Sequence, residues 1–144
     1  MTLPPRGIRN NNPGNLNFAH QPDAVMEPKT ALVPNPRFAK FPTMDAGVSA
    51  LIHQLTLYFS RGTNTVTAII GQWAPSFENP TNAYVSYVAR SMNVQPRDTL
   101  EATPETLAQL ACAIAHMENG VLPFTEAHAL ELARVVVGVK GGAA

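Results

Sequence analysis

The chain has 144 residues, of which 45% are apolar, 10 are basic and 10 acidic. That length makes one domain with a real core and leaves little room for a second module. A formal net charge of zero, spread over scattered basic residues, points away from nucleic acid and anionic lipid as partners.

Residues 1–43 are rich in Pro, Asn and Gly and hold few periodic apolar positions, so they read as an irregular flap of loops with at most a short hairpin. From Thr43 the pattern becomes helical. Val48, Leu51, Ile52, Leu55 and Tyr58/Phe59 form a stripe that ends near Arg61-Gly62. A second, short helix follows Asn64-Thr65, with Val66, Ile69, Ile70 and Trp73 inward and Ala74-Pro75 as its stop. A third opens after Asn79-Pro80-Thr81 and carries Tyr84, Val85, Val88 and Met92. A fourth begins at Thr103-Pro104-Glu105 and ends at Glu118, and a fifth runs from Thr125 to about Val137, before a Gly-rich tail at 138–144. The expected architecture is mainly α, a helical core over 44–137 with the flap in front of it.

The N-terminus has no signal-peptide core, and no run approaches the roughly 18 apolar residues of a membrane span. Synthesis in a cytoplasm is expected, without membrane insertion, followed by release or carriage to the site of action. Cys112 is alone, so no disulfide is expected. The histidines at 20, 53, 116 and 128 show no paired ligand spacing; neither metal nor cofactor is expected. No apolar stripe is left obviously unpaired, and a monomer is expected.

Three stretches carry candidate chemistry. On the fourth helix, Leu107, Leu110, Ala111, Ile114 and Glu118 fall along one stripe, so a carboxylate stands where apolar groups are expected. The Asn119-Gly120 step ends the helix there, at the negative end of its dipole. Partial burial and that dipole both disfavour the charged form, which suits a general acid. Two structural readings stand beside this one: an exposed last-turn residue, or an ion pair with Arg9 or Arg90. The second stretch, Asn10-Asn11-Asn12-Pro13-Gly14-Asn15, fixes turns and also offers amide groups that suit acetamido and hydroxyl groups of a sugar. The third, Gln72 to Val88, places Glu78, Asn79 and Thr81 between the aromatic shoulders Trp73 and Tyr84, which can wall a sugar groove.

Taken together, Arg6-Gly7-Ile8-Arg9-Asn10-Asn11-Asn12-Pro13-Gly14-Asn15, Phe38 to Gly47, Trp73-Ala74-Pro75 with Glu78-Asn79-Pro80-Thr81, and His116-Met117-Glu118-Asn119-Gly120 resemble a phage and prophage family of virion-associated or lytic peptidoglycan-cleaving proteins. The chain also resembles the lysozyme-like superfamily, especially flagellar and autolysin glucosaminidases, with the segment that looks like their catalytic helix moved to the end. Such an order is what circular permutation produces.

The resemblance implies that Glu118 is the acid and that Asn119 replaces the serine usual after it. It implies further that Asn11, Asn12, Asn15, Trp73, Asn79, Thr81, Tyr84, Tyr87 and Asn119 contact peptidoglycan strands, with Tyr84 or Tyr87 steadying developing charge. Glu78 is the visible second carboxylate, with Asp45, Glu27 and Asp23 as further candidates; without one, the substrate's own acetamido or 6-hydroxyl group would complete a transglycosylase reaction. Rival assignments make Glu78 the acid and Glu118 structural, direct the same groove to chitin-like polymers, or make the chain a non-catalytic virion structural or wall-binding module.

Overall fold

The computed structural model describes residues 3–74 and 81–138, with the side chain of Thr81 outside that description. Six helices and one small sheet follow one another as α1 (Arg6–Arg9), β1 (Val25–Met26), β2 (Ala39–Lys40), α2 (Met44–Ser60), α3 (Val66–Trp73), α4 (Thr81–Met92), α5 (Pro104–Asn119) and α6 (Glu126–Val136). The fold is mainly α.

Four of the helices start by the same device. The hydroxyls of Thr43, Thr65, Thr103 and Thr125 accept the backbone N–H groups of Ala46, Ala68, Thr106 and His128, each at 3.1 Å. Each cap satisfies a donor that the first turn leaves without an intrahelical partner. At the other end of α5, Gly120 adopts the left-handed conformation at φ 74° and its N–H returns to the His116 carbonyl. A residue without Cβ stops the helix there at little cost.

α5 sits at the centre and packs against α1, α2, α4 and α6. Its stripe of Leu107, Leu110, Ala111 and Ile114 is fully buried against Leu51, Ile52 and Leu55 of α2, Ile69 and Ile70 of α3 and Val88 of α4. Each of the larger side chains contributes about 1.5–3 kcal/mol by leaving water. Cys112 lies off that stripe, with Ala108 and Ala129 in a small flanking cluster, and burial together with nearby Glu126 pushes its thiol up to about 12. No helix is long and apolar enough to cross a membrane among the described residues.

The flap is ordered by polar contacts instead. β1 and β2 pair antiparallel with Val25 opposite Lys40 and Met26 opposite Ala39, the short hairpin expected from composition; the helical turn α1 was not expected. The buried Glu27 carboxylate is the hub. It receives both arms of Arg6, the Asn10 amide at 2.9 Å, and the backbone N–H groups of Arg37 at 3.0 Å and Phe38 at 2.8 Å. Burial alone would raise the Glu27 carboxyl, but these donors outweigh it and hold it well below the usual carboxylate range.

Candidate functional site

Glu118 occupies the last turn of α5, half-buried, and both of its oxygens are taken. Asn15 Nδ2 donates to Oε1 at 2.9 Å and the Tyr84 hydroxyl donates to Oε2 at 3.0 Å. The two structural readings therefore do not hold: the residue is neither frayed into solvent nor paired with arginine. Arg9 donates to the Pro4 carbonyl and Arg90 to the Ser86 carbonyl.

Each partner is held in turn. Tyr84 is 3% exposed within the core of α4. Burial and then the Glu118 charge raise its phenol far above the ordinary value, so it stays a proton donor. Asn15 sits at φ 51° and Asn11 at φ 49°, a conformation that asparagine tolerates better than most residues. Two of the four asparagines are thus explained by the backbone they must adopt.

The loop carrying Asn15 is clipped to the end of α5. Asn119 Nδ2 donates to the Pro13 carbonyl and to the Ala115 carbonyl, both at 2.9 Å. Gly7 makes the approach possible. A Cβ there would lie 2.5 Å from Asn119 Oδ1, 2.8 Å from the Asn12 carbonyl and 3.0 Å from Asn15 Oδ1. Those two amide oxygens are buried without a conventional partner, and they converge on the Gly7 α-carbon, where weak Cα–H···O contacts are available. Gly47 does the same on α2, where a Cβ would meet the Asn11 carbonyl at 1.7 Å.

Several expectations are corrected by this arrangement. Asn12 is fully buried, with its amide spent on the Leu16 and Ala39 carbonyls and its oxygen on the Leu16 N–H. Asn119 is buried too, and neither faces a substrate. Asn11 donates to the Phe41 carbonyl at 3.1 Å. Tyr87 bonds His116 Nδ1 and stacks on that ring at 5.4 Å, lining a separate hollow with Cys112 and Glu126. Of the alternative second carboxylates, Glu27 is consumed in the flap, Asp45 holds His128 at 2.8 Å on the surface, and Asp23 lines another hollow beside His53. Glu78 and Asn79 lie outside the described residues, as does the side chain of Thr81.

Asn15 and Trp73 do come together. They line a cleft of about 280 Å³ between the flap and the α2–α3 pair. Its lining residues include Asn15, Asn17, Gln21, Gln54 and Gln72, and two aromatic residues, Tyr58 and Trp73, whose rings meet edge to face with centroids 5.9 Å apart. None of the described residues lining it is charged. Gln72 opens the stretch already singled out, whereas Gln54 and Tyr58 sit on a helix whose pattern shows only its core stripe. The signal that could have found them is the i, i+4 spacing of Gln54 and Tyr58, which puts both on one face of α2.

Fold and site define a mainly helical domain with a hydrogen-bonded carboxylate at the end of its central helix, beside a neutral cleft. No protein-family model matches the chain. It is 35% identical over 121 residues to Protein P5 of Pseudoalteromonas phage PM2, a match that covers 83% of this chain and 74% of that one. The chain belongs to the family of that phage protein.

Proposed function

We propose that the protein cleaves the glycan strands of bacterial peptidoglycan, with Glu118 as the general acid, acting after release from the host cytoplasm or from within a phage particle. The observation that carries this reading is the carboxyl group of Glu118 held by Asn15 and Tyr84 at the end of a buried helix. Cleavage of a glycosidic bond needs a proton delivered to the leaving oxygen from a fixed direction. Asn15 Nδ2 can only donate, so it suits Oε1 whether the group is ionised or protonated. The Tyr84 hydroxyl donates to the carboxylate and can accept from the carboxylic acid. The pair therefore fixes the direction in which the carboxyl group faces. The kinship with a phage protein and the order of the Asn-rich, Trp73 and Glu118 segments support the same reading.

The test compares wild type with Glu118→Gln on purified peptidoglycan, following turbidity and the mass of released sugars. Loss of about 10²–10⁴-fold in rate is expected, with circular dichroism unchanged. If Glu118→Gln keeps most of the activity, the assignment is wrong. Wild-type protein that sediments with peptidoglycan yet releases neither new reducing ends nor anhydro sugars is a binding module instead.

A further inference from the structure

Beyond the carboxylate, the chain has a place for the sugar itself. We infer that the cleft between the flap and the α2–α3 pair is a subsite for one uncharged N-acetylated amino-sugar ring of the strand, with Gln54 and Gln72 reading its acetamido group and Tyr58 and Trp73 forming its apolar wall. This rests on the proposed glycan-cleaving reading and names the ligand that reading requires next to Glu118.

Position comes first. Asn15 lines the cleft and also bonds Glu118, so one residue lies between the proposed catalytic carboxyl and the hollow. A ring seated there lies one residue's reach from the acid. Size comes second, because about 280 Å³ is at the low end of small-molecule sites and fits a single ring rather than a long peptide.

Chemistry decides the class. A wall of carboxamides without a charge favours a neutral ligand, since an anion entering it would lose hydration without gaining a counter-charge. The Gln54 side chain and the Tyr58 hydroxyl are half-buried, yet neither has a hydrogen-bond partner among the described residues. Gln72 has one long bond, 3.3 Å, to Thr63. By contrast Gln21 is tied to the Asn17 carbonyl and the Ala19 N–H, so it shapes the wall. A primary carboxamide presents a carbonyl and an N–H side by side, the complement of a secondary acetamide, and can exchange two bonds with it. The aromatic pair supplies the apolar surface against which the C–H face of a pyranose packs.

Trp73 is the chain's one tryptophan, so its fluorescence reports this cleft alone. The full chain carrying Glu118→Gln, which leaves the ligand intact, is titrated with the trimer of N-acetylglucosamine, with cellotriose, which lacks acetamido groups, and with trigalacturonate, which is anionic. A saturable change with the first, at least about tenfold weaker with the second and undetectable with the third, is expected. Adding Gln54→Ala should raise the Kd for the first about tenfold, one hydrogen bond's worth, at an unchanged unfolding midpoint. A flat titration, equal affinity for the charged trimer, or an unchanged Kd in the Gln54→Ala protein overturns the subsite. If the titration is flat while wild type digests peptidoglycan, the subsite fails and the proposed function stands. If the trimer binds as expected but Glu118→Gln retains wild-type activity, the acid assignment fails and the subsite stands.

Discussion

The flap and the helical core reach order by opposite means. Between Met44 and Val136 the chain buries aliphatic stripes and needs few polar contacts beyond its threonine caps. The flap has few large apolar side chains to bury, Phe38 and Phe41 among them, and is instead knotted around one carboxylate, Glu27, and a run of asparagines. The difference teaches that two acidic residues, Glu27 and Glu118, both received by hydrogen-bond donors, serve different ends. Glu27 is 3% exposed and has spent its oxygens on holding loops. Glu118 stands where the two regions meet, half open to solvent, with one donor on each oxygen.

The sharpest way to break that comparison is at Glu27. Glu27→Gln leaves the half-buried Arg6 without its counter-charge and weakens the acceptor that the Arg37 and Phe38 N–H groups share, and a loss of about 3 kcal/mol at neutral pH is expected, the upper end for hydrogen bonds to a charged group. The pH dependence follows from the depressed carboxyl. Its stabilisation is complete above the unfolded value of about 4.3 and drains away as pH falls from there toward the folded value. Urea midpoints of wild type and variant should therefore converge in acid. A gap that stays constant with pH would show that the flap is not held by this ion pair.

A smaller effect is expected at Gly7, where the flap touches α5. Gly7→Ala drives a methyl group into Asn119 Oδ1 and the Asn12 carbonyl, and overpacking of this kind costs about 1–3 kcal/mol. Activity on peptidoglycan should fall by more than the change in stability explains, because Asn15 moves with its loop. An alanine variant of full activity would uncouple the flap from the site. Smallest of all is Thr103→Ala, which removes one cap from α5 at about 1 kcal/mol. It should lower the thermal midpoint while kcat at low temperature stays the same; a comparable loss of kcat would mean that the start of α5 also sets the position of its end.

The core was legible because its signals are local. The stripes of α2, α3, α4 and α5, and the threonines before α2, α3 and α5, lie within one or two turns of the residues they organise. The fourth helix of the sequence pattern runs one residue beyond the expected end at Glu118, since the Gly120 N–H still bonds back to the His116 carbonyl. Glu118 was legible for the same reason, as a carboxylate out of pattern on a periodic stripe. The roles of the asparagines were not. Four similar side chains stand in six positions, and nothing local distinguishes Asn12, which braces the backbone, from Asn15, which reaches Glu118. The partners that decide, Ala39 and Glu118, are 27 and 103 residues away. Glu27 looked like a free carboxylate because its partners are likewise distant in sequence.

The two clips that join residues 13 and 15 to residues 119 and 118 each close a ring of more than a hundred residues. Such closures are late and slow events in folding, since the chain entropy is surrendered before the contact is made. On a ribosome the flap emerges first and must wait for α5, so Asn15 meets Glu118 only after about a hundred further residues have been made. A shortened chain that ends before residue 118 keeps the asparagine loop but has nothing for it to hold. The device that completes the site thus also times it, because neither clip can form before residues 118 and 119 have been made.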